Sequence, residues 1–179
     1  MRRVALGAAL TPVLALAQDA SRPASTVSPG ARLPALEGET LSGKRLTLAG
    51  ASAGRATLLI FTFSRKGGES ARPWTEAAAG LGNPGLATYR ILVLGGVPRL
   101  LRWLVVGGIE KGMPAVLHDT TVKLFADEDA WKARLGVRAE DDPHLVLLDT
   151  EGAIRWLHSG ACDDAGRALL AERIGALRP

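Results

Sequence analysis

The feature that most constrains the fold is an unbroken run of apolar or β-branched residues at positions 56–63, ATLLIFTF. A strand with apolar side chains on both faces must be buried between two layers. The run is also too short to cross a membrane. The sequence therefore predicts a central buried strand with helices packed on either side.

Further apolar strands are predicted at 88–94, 145–149 and 153–157, and the last two are joined by the tight turn Thr150-Glu151-Gly152. A short strand is expected at 115–118. Helices are predicted at 69–81, 98–112, 128–135 and 165–177, and residues 33–48 form two short apolar stretches around Ser42-Gly43, typical of a hairpin. Strands that alternate with helices indicate an α/β sheet, and the terminal hairpin makes that sheet mixed.

The N-terminus has the pattern of a secretory signal peptide. Met1-Arg2-Arg3 precedes an uncharged segment that ends in Ala15-Leu16-Ala17, a small-residue cleavage pattern. We therefore predict a signal peptide at 1–17, a flexible linker at 18–32 and one domain at 33–179, in a periplasmic or secreted protein. Because acidic residues are scarce before Glu37, a mitochondrial transit peptide remains the alternative.

Charge and cysteine content exclude several classes of function. The net charge is +4, and removal of the two N-terminal arginines leaves 20 − 18 = +2, too small a surplus to indicate nucleic-acid binding. A single cysteine, Cys162, cannot form an internal disulfide, a Cys-x-x-Cys pair or a four-cysteine zinc site. The glycines match no phosphate-binding loop and the histidines match no metal motif, so we expect neither cofactor nor metal.

Four segments carry a resemblance to a known superfamily: LPALEGETLSGKRLTL at 33–48, the strand at 56–63, FADEDAWKARLGV at 125–137 and DDPHLVLLDTEGAIRW at 141–156. They resemble the redoxin branch of the thioredoxin-like superfamily. The resemblance implies a thioredoxin-like three-layer α/β/α sandwich with a mixed central sheet and an N-terminal β-hairpin.

The chain departs from that branch where redox chemistry would occur. When FTFSRKGGE is aligned with the family pattern F-x-x-x-W-C-x-x-C, the two cysteine positions fall on Lys66 and Glu69. Neither side chain forms a thiolate or a disulfide. The resemblance therefore implies a redox-inactive member of the branch and no catalytic residue in this loop.

A narrower resemblance fits this loss. LVLLDTEGAIRWLHSGA at 145–161, and a serine loop with Trp74 downstream of Ser64, are similar to the mitochondrial ATP synthase assembly factors called ATPase complex subunit ten. That resemblance implies a protein-binding assembly factor or chaperone-like module, whose client is a protein or a membrane-protein complex.

The expected partner-binding residues lie on the former active-site face. They are Ser64, Arg65, Lys66, Glu69, Trp74, Pro143 and His144. Pro143 occupies the position that is a cis-proline in thioredoxin-like folds, where the turn presents main-chain groups to an extended partner segment. A solvated turn at 64–69 and a purely structural turn at Pro143 are the alternatives.

The alternative function is a one-cysteine thiol oxidoreductase or peroxidase that uses Cys162. Its predicted position before a helix favours the thiolate, whereas the adjacent Asp163 and Asp164 oppose it. An inert, partly buried thiol is the more common outcome for such a residue.

The segment 98–111 is more apolar than a half-exposed helix requires. Leucine, valine and isoleucine residues recur near helical spacing around Trp103, with Arg99 and Arg102 beside them. Such a stripe is typical of a core helix. A peripheral contact with a membrane or a partner protein is the alternative.

Overall fold

The computed structural model describes residues 26–48 and 54–177, so the predicted signal peptide and most of the linker lie outside the described residues. The strands are β1 (Leu36–Thr40), β2 (Arg45–Leu48), β3 (Ala56–Thr62), β4 (Leu86–Val93), β5 (Thr121–Leu124), β6 (His144–Leu148) and β7 (Ile154–Ser159). The helices are α1 (Arg65–Ser70), α2 (Arg72–Gly80), α3 (Arg102–Gly112), α4 (Glu128–Leu135) and α5 (Asp164–Gly175).

The seven strands form one mixed sheet in the order β2-β1-β5-β4-β3-β6-β7. β3, β4 and β5 run parallel, whereas β1, β2, β6 and β7 pair antiparallel with their neighbours. The N-terminal hairpin β1–β2 is present as predicted and pairs with β5. The architecture is the thioredoxin-like three-layer α/β/α sandwich with a mixed central sheet.

Every residue of β3 is buried, as its continuous apolar sequence predicts. Alternate side chains of β3 supply two cores. Leu59 and Phe61 face the layer that contains Trp131 of α4, whereas Leu58 and Ile60 face the layer that contains Trp74 of α2. Helix α5 completes the second layer through its buried residues Leu170 and Ile174.

The helix boundaries follow local chemistry. Asp127 caps α4 by accepting a hydrogen bond from Ala130 N–H, and Gly136 ends the helix with a φ of 64°. Asp163 caps α5 in the same way through Gly166 N–H. Pro73 lies in the first turn of α2, where its missing N–H costs no helical hydrogen bond.

Two predictions in the middle of the chain are wrong. The strand expected at 115–118 is part of a 3₁₀ helix, Ala115–Thr120, and the strand follows it as β5. The helix expected in the core is α3, preceded by the 3₁₀ turn Arg99–Leu101, and neither has a buried residue. Within the described residues, no helix has both the length and the apolarity needed to cross a membrane.

Candidate functional site

Five connections converge on one edge of the sheet. β3, β4 and β5 are parallel, so the loops that follow them leave from the same edge. β6 runs antiparallel to β3 and therefore begins there, and β7 runs antiparallel to β6 and therefore ends there. This edge, called here the C-terminal edge, carries residues 63–69, 94–104, 125–127, 141–144 and 159–163. It contains all the site residues predicted from the sequence except Trp74.

Ser64 ends the loop after β3 and caps α1. Its extended backbone (φ −136°, ψ 166°) allows Oγ to accept a hydrogen bond from Gly67 N–H at 2.9 Å. The same hydroxyl donates to Asp141 Oδ1 at 2.8 Å. Ser64 therefore links the start of α1 to the turn that precedes Pro143.

Lys66 makes a second link between the same two segments. Its Nζ lies 3.2 Å from Asp141 Oδ2. The hydrogen bond from Ser64, together with that from Lys66, lowers the pKa of the Asp141 carboxyl below its usual range. We call the three residues Ser64, Lys66 and Asp141 the clasp.

Gly67 lets the two clasped segments approach closely. A Cβ on this residue would lie 2.9 Å from the main-chain oxygen of Glu140, closer than real Cβ contacts allow. The main chain of α1 therefore lies directly against the 140–141 turn, and a side chain at position 67 would push them apart.

The two positions aligned with redox cysteines are both ion-paired at the surface. Lys66 pairs with Asp141, and Glu69 accepts a hydrogen bond from Arg65 Nε at 3.2 Å. The Arg65 side chain is 95% exposed and that of Glu69 is 66% exposed. This loop therefore presents paired charges at the surface, and the Ser64 hydroxyl is engaged in a hydrogen bond to the Asp141 carboxylate.

Trp74 is not a surface residue, which corrects the prediction that it contacts a partner. Its side chain is fully buried, and its Nε1–H donates to Gly160 O at 2.9 Å. Gly166 of α5 lies against the ring, where a Cβ would come within 2.7 Å. Trp74 therefore packs α2 against α5 and fixes the connection that follows β7.

Pro143 and His144 lie where the 141–143 turn leads into β6. The described residues contain no cis peptide bond, so the bond before Pro143 is trans. Pro143 O accepts a hydrogen bond from Gly160 N–H at 3.2 Å. His144 is only 5% exposed and packs edge-on against Phe63, so its imidazole is not displayed on the surface as the sequence suggested.

Burial lowers the pKa of the His144 imidazole, although a main-chain hydrogen bond to Ala139 and the charge of Asp142 act in the opposite direction. Its Nε2 is buried and has no hydrogen-bond partner among the described residues. A neutral, incompletely satisfied imidazole therefore lies just beneath the clasped turn.

Cys162 lies on the same edge, between β7 and α5, and is partly buried against the second core. Burial raises the pKa of its thiol, and Asp163 raises it further, whereas Arg167 lowers it. The sequence did not indicate Arg167 as a neighbour. Since burial is the largest effect, the thiol is held in its less reactive, protonated form.

Two polar residues of this region were missed by sequence reasoning. Asp141, the centre of the clasp, was identified only as part of a turn. Arg90 lies in β4, is 6% exposed and donates from Nη2 to Gly68 O at 2.6 Å. An arginine inside the apolar strand TYRILVL was the available signal for a buried cation.

An apolar patch lies beyond the end of β4. Leu100, Trp103 and Leu104 are 85%, 75% and 57% exposed, and Leu101 is half-exposed. Arg102 lies 4.5 Å above the ring centre of Phe125, which follows β5 at the same edge. We call Leu100, Leu101, Trp103 and Leu104 the α3 patch.

Comparison with known proteins finds the fold but no family. No protein-family model and no curated protein matches the chain. Among solved structures, a protein assigned as thiol:disulfide interchange protein DsbE from Chlorobium tepidum superposes with a TM-score of 0.61 at 16% identity, over 85% of this chain and 99% of that one.

Two further structures are similar. BsSco, a member of the Sco family of cytochrome c oxidase assembly proteins, matches with a TM-score of 0.60 at 10% identity, over 84% of this chain and 95% of that one. The exposed lipoprotein thioredoxin Etrx1 from Streptococcus pneumoniae matches with a TM-score of 0.56 at 17% identity, over 77% and 98%. At these identities the likeness establishes the thioredoxin-like fold alone.

Proposed function

We propose that this protein is a redox-inactive thioredoxin-like domain that binds a protein client at the C-terminal edge of its sheet. The observation that carries the proposal is the replacement of both redox positions by Lys66 and Glu69, each held in a surface ion pair. The only cysteine of the sequence, Cys162, occupies neither redox position. It lies between β7 and α5, where it is partly buried and its thiol pKa is raised.

The exposed charged side chains of Arg65, Lys66 and Glu69, called here the rim, favour binding over catalysis. They are well exposed at the start of α1, so a partner would meet charges of both signs there. Charged groups of this kind contribute mainly to the rate and selectivity of association. Asp141 holds the start of α1 against the turn before β6 through its contacts with Ser64 and Lys66.

A role in assembling another protein or membrane complex is supported by two likenesses. The sequence resembles assembly factors that lack the catalytic cysteines, and the fold matches BsSco, whose family assembles cytochrome c oxidase. Export is supported by the N-terminal signal pattern and by the fold likeness to an exposed lipoprotein. These two observations support the proposal that the client is bound outside the inner membrane, in a periplasmic or secreted protein.

Site-specific photocrosslinking tests the proposal. A benzophenone amino acid at position 65 should crosslink a client protein in the source organism, because the Arg65 side chain is almost fully exposed on the rim. The matched control is the same probe at position 45, in exposed Arg45 of β2, which three strands separate from β3. No adduct at position 65, or the same adducts at both positions, would contradict the proposal.

The α3 patch favours a second candidate, binding to an anionic membrane surface. All six exposed large apolar side chains of the described residues lie between positions 100 and 125, and four of them form this patch. Trp103 suits the interface between lipid and water, and neighbouring Arg99 and Arg102 are attracted by anionic headgroups. A core role for this segment is contradicted by its exposure.

Vesicle flotation tests this second candidate. The chain without the predicted signal peptide, residues 18–179, should float with phosphatidylglycerol-containing vesicles at low salt and should not float with phosphatidylcholine alone. The Leu100→Ser/Trp103→Ser variant should lose flotation, whereas Val116→Ser, at a separate residue that is 82% exposed, should keep it. A wild-type chain that stays in the soluble fraction on anionic vesicles would exclude the candidate.

A further inference from the structure

β7 is the last strand on one side of the sheet. Along part of its outer side, its main-chain N–H and C=O groups have no hydrogen-bond partner among the described residues. In the β6–β7 register His158 pairs with Leu145, and Gly160 N–H donates to Pro143 O at 3.2 Å. In an antiparallel ladder the residues between such bonded pairs point their N–H and C=O outward. The outward groups are those of Leu157 and Ser159, and none has a main-chain partner among the described residues.

The chain itself already uses the first part of this edge. Gly30 N–H donates to Ile154 O at 2.7 Å, and Ile154 N–H donates to Ala31 O at 2.8 Å. An antiparallel bridge joins Arg32 to Ala153. The turn at residues 28–31 and the bridge residue Arg32 therefore already pair with the outer side of β7, and among the described residues this pairing ends at Ile154.

A cavity of about 330 Å³ opens beside the part of β7 that no described residue pairs with on its outer side. It is lined by Leu135, His144, Leu145, Leu157, His158 and Ser159. Leu135 and Leu157 supply apolar surface, and they pack against the core beneath α4. His144 contributes the buried imidazole whose Nε2 lacks a partner among the described residues.

We infer that an extended segment of the protein client adds to β7 as a new strand along Leu157–Ser159 and fills this cavity. Main-chain hydrogen bonds to Leu157 and Ser159 supply the pairing, as in other cases of strand addition. An apolar side chain of the segment packs on Leu135 and Leu157. A hydroxyl or amide side chain two residues away completes the hydrogen bonding of His144 Nε2. This inference rests on the proposed function, since it specifies the form of the bound client.

The test uses random heptapeptides displayed on phage and selected on the immobilised full chain. The Ser159→Pro variant removes an outward N–H that the β6–β7 ladder does not use, and proline is tolerated at such edge positions. Ser159→Ala is the matched control, since it removes the hydroxyl and keeps the N–H. We expect a selected peptide to bind Ser159→Pro at least tenfold more weakly than wild type and to bind Ser159→Ala with unchanged affinity.

Hydrogen exchange on the wild-type complex gives a readout that does not depend on the folding of a variant. The amides of Leu157 and Ser159 should become protected when the selected peptide binds. Protection confined to residues 64–69 and 141–143 would overturn this inference while leaving the proposed binding function intact. Failure to select any heptapeptide would also overturn it, whereas the proposed function would still be decided by crosslinking at position 65.

A second copy of the chain is the competing occupant. If light scattering shows a wild-type dimer that Ser159→Pro converts to a monomer, the edge is occupied by a second copy and the inference about a client segment is wrong. A monomer in both forms is the expected result.

Discussion

Lys66 Nζ lies 3.2 Å from Asp141 Oδ2, and this contact joins the first turn of α1 to the turn that precedes β6. In thioredoxin-like redox proteins, as the sequence alignment implies, the position of Lys66 holds a cysteine. Here the residue is a cation committed to a neighbouring carboxylate. Lys66 is therefore part of a charged link between two loops.

The clasp should make stability depend on pH at the acid end. The folded state lowers the pKa of Asp141, so its stabilising contribution is present above the ordinary carboxyl pKa of about 4 and is lost as the pH falls through the lowered value. Asp141→Asn should lower the urea midpoint at pH 7, and the difference from wild type should shrink below pH of about 4.

Asp142→Asn is the matched control for this experiment, because neither Ser64 nor Lys66 bonds to Asp142. It should leave the acid branch of the stability profile close to that of wild type. An Asp141→Asn variant that differs from wild type by the same amount at pH 3 and pH 7 would show that the Asp141 charge does not stabilise the fold.

His144 should give a second pH dependence, nearer neutrality. Burial lowers the pKa of its imidazole in the folded state, so the unfolded chain binds more protons as the pH falls below the ordinary histidine value of about 6.5. Above that value the free energy of unfolding therefore does not depend on the protonation of this group, and it declines as the pH falls from there to the lowered pKa. The free energy of unfolding should fall between pH 7 and pH 5, by at most about 1.4 kcal/mol per pH unit from this group.

His144→Gln should flatten the decline in this pH range, as measured by urea unfolding. The control is His118→Gln at a half-exposed histidine that bonds to Met113 O. Equal slopes for wild type and His144→Gln would mean that another group titrates in this range.

Substitution of Trp74 should lower the free energy of unfolding far more than substitution of Trp103. Trp74 is fully buried between α2 and α5, so Trp74→Ala should cost about 3–5 kcal/mol of unfolding free energy. Trp103 is 75% exposed, so Trp103→Ala should change stability by no more than about 0.5 kcal/mol. Chemical denaturation measures both, and a comparable loss in the two variants would contradict the placement of the α3 patch at the surface.

Local patterns were sufficient to predict most of the sheet and the helix at 128–135. The run at 56–63 predicted a buried central strand, and the predicted helix has the bounds of α4, because these signals act within a few residues. The helix predicted at 69–81 is instead the two helices α1 and α2. The β5 strand was misplaced for a different reason. Its Lys123 is buried through an ion pair with Glu39, whose carboxylate is 2.8 Å away and 84 residues distant in sequence.

The candidate site was only partly predictable, because its key contacts cross the chain. The alignment identified Lys66 and Glu69 but could not show that Asp141, 75 residues beyond Lys66, completes the clasp. Likewise, a leucine-rich helical stripe indicates burial only if another element covers it, and nothing among the described residues covers the α3 patch. Trp74 was predicted to contact a partner, but its side chain is fully buried and packs between α2 and α5.

The proposed function requires that the protein performs no thiol chemistry. Thiol–disulfide exchange and peroxide turnover, measured on the purified full chain beside Cys162→Ser, test this requirement most directly. We predict background rates for both proteins, because Lys66 and Glu69 occupy the aligned redox positions and burial raises the pKa of the Cys162 thiol. Turnover by the wild type that disappears in Cys162→Ser would contradict it and identify a one-cysteine redox enzyme.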